Sequence, residues 1–149
     1  MDTTSPRRWL LLLYKVPPEP TANRVSVWRK LKRLGAILLH DAVWVLPPSA
    51  RTREELQWLS AEIRERGGDA LLWEASLCLD GRDEQLVQQF VAQVDGIYAD
   101  VLGALEDPNV DLVALSKRYQ QARRHDYFQS PLGERAREAL LTAGKRIDR

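Results

Sequence analysis

At 149 residues and 17.1 kDa, with 44% hydrophobic and 29% charged residues, the chain has the ordinary balance of a soluble protein able to bury one sizeable core. A single cysteine, Cys78, excludes an internal disulfide and fits a reducing compartment. The apolar run Leu10 to Leu13 is far too short to cross a bilayer, so a cytoplasmic protein without membrane attachment is expected. Net charge is only +1, but it is unevenly spread: residues 1–79 carry +3, residues 80–116 carry −7 and residues 117–149 carry +5.

The first six residues read as an arm-like lead. Trp9 to Val16 is strongly apolar and closes at Pro17-Pro18, which predicts the first strand. Thr21 is placed to cap a helix running to Leu34, with Gly35 as its stop. Val27, Leu31 and Leu34 form the apolar stripe of that helix; Arg29, Lys32 and Arg33 lie on the other side. Ala36–Leu39 and Ala42–Leu46 predict two short strands turning at His40-Asp41. Thr52 with Glu55 has capping-box spacing, opening a second helix with Leu56, Leu59 and Ile63 on its buried stripe and an end at Gly67-Gly68. Ala70 to Leu77 completes a β-α-β-β-α-β order, the ferredoxin-like arrangement of an α/β (α+β) fold.

After Asp80-Gly81 the pattern becomes helical. Leu86, Phe90, Val94, Ile97, Val101 and Leu105 mark a long helix ending near Asp107-Pro108; Leu112, Leu115 and Tyr119 mark another; Ser130-Pro131 opens a last one with Leu132, Ala136 and Leu140. The expected organisation is a ferredoxin-like domain over 1–79 with a three-helix extension over 80–149 packed on it as one compact unit. Both faces of the first strand are apolar, so the extension or a second copy of the chain must cover the side that two helices leave open. Trp58, opposite its helix's apolar stripe, and Trp9 are the interface candidates, and a homodimer is expected.

No catalytic constellation emerges. His40 and His125 do not form a metal spacing with Cys78, no glycine-rich phosphate loop is present, and Asp41 reads as a turn residue, so neither enzyme activity nor a cofactor nor a metal is expected. From Thr21 to His40 the chain carries Arg24, Arg29, Lys30, Lys32 and Arg33 without an acid. Arg29, Lys30, Lys32 and Arg33, with Arg7 and Arg8 as an arm, are candidates to grip DNA phosphates, and a solvated surface face is the plain alternative. Arg24 sits near the apolar side and suits an organising role. Arg118, Arg123, Arg124 and His125, with Tyr127, form a second cluster suited to an oxyanion, or to balancing the acidic 80–116 segment.

The combination Tyr14-Lys15-Val16-Pro17, Arg24, Trp28-Arg29, Leu31-Lys32, Leu34-Gly35-Ala36 and Asp41-Ala42-Val43-Trp44 resembles the N-terminal domain of the chromate-resistance regulators of the ChrB family. The resemblance continues through 52–77 and the late His125-Asp126-Tyr127-Phe128 stretch. It implies a repressor of a chromate-resistance operon that binds double-stranded operator DNA, with chromate or another oxyanion as effector. Family members continue into a second domain, so this chain is expected to be a stand-alone version or a separated domain. The topology also resembles the small subunit of CRISPR spacer-integration complexes and the C-terminal part of the PaaX repressors, which pair as homodimers. Where their nuclease versions end the first strand on an acid, this chain has Lys15-Val16-Pro17. A non-catalytic interaction module is the remaining alternative.

Overall fold

The computed structural model describes residues 7–79 and 81–147; the expected arm-like lead over residues 1–6 lies outside them, as do Asp80 and residues 148–149. The elements are β1 (Arg8–Lys15), α1 (Thr21–Arg33), β2 (Ile37–Leu39), β3 (Val43–Leu46), α2 (Ala50–Glu65), β4 (Asp69–Ser76), α3 (Arg82–Ala104), α4 (Leu112–Arg124) and α5 (Pro131–Ile147). Their order follows the apolar periodicity of the sequence, and every strand boundary falls within a residue of the expected one. The four strands form one antiparallel sheet in the order β2-β3-β1-β4, with Leu12 facing Trp44 on one side and Leu72 on the other. Two compact units follow, Met1–Asp83 and Glu84–Arg149.

In the first unit α2 packs on β1 and β4. Leu10, Leu12 and Leu46 of the sheet, Val27 and Leu31 of α1, and Leu56, Leu59 and Ile63 of α2 are all buried. Each such side chain contributes about 1.5–3 kcal/mol by leaving water. The opposite parity of β1 and β4 is mixed. Trp9 is only 2% exposed and its indole Nε1–H donates to Asp83 Oδ1 at 2.8 Å, whereas Leu13 and its cross-strand partner Leu71 are exposed, as is Trp73 opposite Leu11. Trp9 is therefore a core residue here and presents no surface for an interface.

The caps expected for α1 and α2 both move, while Ser130 stands before Pro131 at the start of α5 and its Oγ accepts from Leu132 N–H at 3.3 Å. Thr21 is the first helical residue of α1, and Pro20 holds the cap position with no side-chain bond, since proline's fixed φ suits a helix entry while its ring offers no acceptor. At α2 the cap is Ser49. Thr52 N–H donates to Ser49 Oγ at 3.0 Å, and Ser49 N–H donates to Thr52 Oγ1 at 2.9 Å. Thr52 is buried and its hydroxyl also donates to the Pro47 carbonyl at 2.7 Å, so Glu55 has no part in the cap. Ser49 has the right spacing but was hidden behind Pro47-Pro48.

Two close turns shape the sheet. His40 and Asp41 join β2 to β3 with φ of 52° and 59°, and Ala42 N–H donates to Leu39 O at 3.1 Å. Three residues, 40–42, connect the paired ends Leu39 and Val43, and two consecutive left-handed residues within the hydrogen-bonded turn have type I′ geometry, usually filled by Asn-Gly; side chains at these positions cost about 1–2 kcal/mol each. After α2, Gly67 takes φ of 85°, and a Cβ on Gly68 would run into the Lys15 carbonyl and lie 2.9 Å from Ile63 Cγ2.

The second unit is built on Val94, Tyr98 and Val101 of α3, Leu115, Tyr119 and Ala122 of α4, and Ala136 of α5. Asp111 caps α4 by accepting from Val113 and Ala114 N–H at 3.1 and 3.2 Å. Tyr98 is fully buried. Its hydroxyl donates to Asp126 Oδ2 at 2.8 Å, Asp126 Oδ1 accepts from Ser130 N–H at 2.9 Å, and Ser130 Oγ donates to Asp95. Gly133 lies so near the Tyr98 ring that a Cβ there would meet its carbons at 2.9 Å.

Candidate functional site

Helix α1 has no acid of its own and fans its cations in different directions. Arg29, Lys32 and Arg33 are exposed on the side away from buried Val27 and Leu31. Arg29 and Arg33 make no ion pair among the described residues, and Lys32 Nζ stands 5.6 Å from the centroid of the Trp28 ring, within cation–π range. These three form a basic face open to solvent. Its spacing suits phosphates, which attract guanidinium and ammonium groups without reading sequence.

Lys30 is not part of that face. One hundred degrees further round the helix it meets Glu62 of α2 in a bidentate ion pair; Glu62 also takes Arg66 Nη2 at 2.8 Å, and Arg66 Nη1 reaches Asn23 Oδ1 at 3.3 Å. Two helices are thereby clasped across their seam. Arg8 is likewise engaged, with Nε 3.1 Å from Glu74 Oε2, while Arg53 of α2 binds the other oxygen of the same carboxylate. Burial works against ionising Glu74, but these two guanidiniums outweigh it and hold the carboxyl below its ordinary value of 4.5. The Arg7 backbone N–H donates to Asp83 Oδ2 at 3.1 Å. Arg7 and Arg8 thus anchor the start of β1.

The second cluster is not gathered into one site. Arg118 pairs with Asp100 at 3.5 Å, Arg123 lines a cleft with Arg137 and Leu140, and Arg124 lines another with Val113 and Lys117. His125 forms the end of α4, and the Tyr127 ring stands edge-on to Phe90 with centroids 6.1 Å apart. The arginines leave α4 on different sides because positions 118, 123 and 124 fall at well-separated angles of the helix. No group of three or more His, Cys, Asp or Glu placed to hold a metal occurs among the described residues.

Trp58 is 73% exposed on α2, on a groove of about 870 Å³ that also takes Glu54, Ala61 and Glu65 from α2 and Lys30 and Arg33 from α1. A further pocket, of about 670 Å³, opens between the start of α1 and the β2-β3 hairpin, with Tyr14, Arg24, Trp28, Asp41 and Trp44 among its walls. Sequence reasoning missed this second pocket. Its residues come from four separate elements, and only the aromatic content of each element hinted at it.

The family described as "Protein ChrB, N-terminal" matches residues 24–103. Protein ChrB of Cupriavidus metallidurans is 25% identical over 142 aligned residues, which cover 86% of this chain. The chain spans 43% of that relative's length. No solved structure matches the chain. No helix among the described residues is long and apolar enough to cross a membrane.

Proposed function

The chain belongs to the ChrB N-terminal family, and from that membership we propose that it is a non-enzymatic DNA-binding regulatory domain associated with chromate resistance. The observation that carries the DNA-binding part is the solvent-facing trio Arg29, Lys32 and Arg33 on an α1 that contains no acid. Lys30 and Arg8 support the scaffold, since each already satisfies a carboxylate. The sheet order β2-β3-β1-β4, with α1 and α2 each crossing between strands, is read as ferredoxin-like. The test is a mobility-shift titration with the duplex upstream of the protein's own operon, with and without chromate and across salt. Binding by the wild type with a steep salt slope, and a slope flatter by about 3 in the R29Q/K32Q/R33Q variant, is the expected result. An unchanged salt dependence in that variant overturns the assignment.

A second reading, self-association, is favoured by the apolar sheet face at Leu13, Leu71 and Trp73, where Leu71 is 50% and Trp73 55% exposed. A large indole and two leucines on adjacent antiparallel strands are costly to leave in water, and a second copy meeting them across a two-fold axis would bury both patches at once. Sedimentation of wild type and W73E separates the cases. A wild-type dimer that W73E converts to monomer supports it, and a monomeric wild type refutes it.

A further inference from the structure

The pocket at the start of α1 combines features that a structural cleft does not need. Its lining includes Trp44, which is buried, and Tyr14. Trp28, 48% exposed, lines it too, and its ring also carries the Lys32 ammonium 5.6 Å from its centroid. Two groups of opposite charge line it as well. Arg24 projects from the first turns of α1, and its charge acts on the Tyr14 phenol; Asp41 comes from the hairpin turn. Neither makes an ion pair with any described residue.

Asp41 is held there by a backbone that disfavours it. Both turn residues carry positive φ, where Asn-Gly would be relaxed, and backbone strain retained at a pocket's rim is a mark of a functional position. The carboxylate accepts hydrogen bonds only, the guanidinium donates only, and the walls between them are aromatic. A ligand that satisfies all three carries a planar ring for Trp28, an edge with N–H donors for Asp41 and an anionic group for Arg24. The pocket's 670 Å³ lies in the range that encloses such a molecule.

We propose that this pocket binds a nucleoside phosphate: the base stacks on Trp28, its donor edge meets Asp41, and its phosphate meets Arg24. Among nucleobases guanine presents two adjacent N–H donors, N1–H and N2–H, to one carboxylate, so guanine is the favoured base. The nucleotide can be free or an unpaired residue of a nucleic-acid strand, since both present the same chemistry. The proposal does not rest on duplex binding by the outer face of α1; it concerns other residues and a different ligand.

The test is calorimetric titration of the full chain with guanosine monophosphate, the other three ribonucleoside monophosphates, guanosine, and short single-stranded oligonucleotides with and without guanine. The variants are R24Q, W28A and D41N, each melted by circular dichroism to confirm folding. Asn suits positive φ at least as well as Asp, so D41N keeps the turn while removing the carboxylate. Guanosine monophosphate is expected to bind in the micromolar range, about tenfold or more weaker in R24Q and in W28A. D41N is expected to erase the preference for guanine over the other bases. Tighter binding of the guanine-containing strand than of the mononucleotide, with the same variant effects, identifies the strand as the source and sustains the proposal. Absence of binding by every ligand up to about 1 mM, or equal affinity of wild type and R24Q, overturns it. A chain that fails on duplex yet binds guanosine monophosphate separates this pocket from the DNA-binding reading.

Discussion

Glu62 of α2 draws the Lys30 ammonium out of the basic face of α1 and into the seam between the two helices, where Arg66 completes the cluster. Lys30 therefore supports the fold rather than a phosphate. The K30Q variant is expected to lose about 0.5–1 kcal/mol of stability, the scale of a partly exposed pair, and to keep the salt slope of nucleic-acid binding. Urea unfolding and salt titration of the same variant check both halves. A slope change in K30Q equal to that of R29Q would return Lys30 to the binding face.

Glu74 makes acid stability depend on Arg8 and Arg53. Its folded-state value lies below its unfolded one, so the stabilisation is present above the ordinary carboxylate range and is lost as pH falls through the lowered folded value. Thermal melts of wild type and E74Q from pH 7 down to about 3 are expected to converge at the acid end. A constant gap between the two at every pH contradicts this account.

In the second unit the Tyr98 phenol is kept protonated by burial first and then by its bond to the Asp126 carboxylate, well above the ordinary 10.0. A raised folded value means stability that is complete below pH 10.0 and declines above it, where only the unfolded chain gives up the proton. Y98F is expected to cost about 1–3 kcal/mol at neutral pH, because Asp126 loses its donor, and to show a smaller alkaline decline. G133A pushes a methyl into the same ring and is expected to cost about 1–3 kcal/mol without altering the alkaline slope. Denaturant melts at neutral and alkaline pH read both.

The hairpin turn carries a trade. H40N/D41G places the relaxed Asn-Gly pair at two left-handed positions and is expected to raise stability by about 1 kcal/mol or more. The same change removes the Asp41 carboxylate from the rim of the Tyr14-Trp28-Trp44 pocket, so base preference is expected to vanish as the melting temperature rises. A variant that is both more stable and equally selective would show Asp41 to be a turn residue alone.

Periodicity reads well wherever one face of an element decides its fate. Val27 and Leu31, Leu56 and Ile63, and Phe90 and Val94 are buried on the stripes their spacing predicts. It fails where a distant partner decides. Lys30 turns to Glu62, 32 residues away, and the Trp9 indole bonds Asp83, 74 residues away, while Leu13 on the same strand face stays exposed. The α2 cap is misread for a local reason: Ser49 and Thr52 compete for one role, and the Thr52 hydroxyl turns back to Pro47. The pocket is illegible because Tyr14, Arg24, Asp41 and Trp44 share no spacing, only a place.

Glycines in this chain differ sharply in what they permit. At position 68 the strand end of β1 and the last turn of α2 close over bare backbone, while at positions 96 and 103 an added Cβ would enter open space on a helix. A saturation library screened only for soluble, folded chains would thus return glycine at 68 and enrich alanine at 96 and 103, where helix propensity gains about 1 kcal/mol. Tolerance to genetic drift is set here by where the backbone crowds itself, and residue type alone is a poor guide to it.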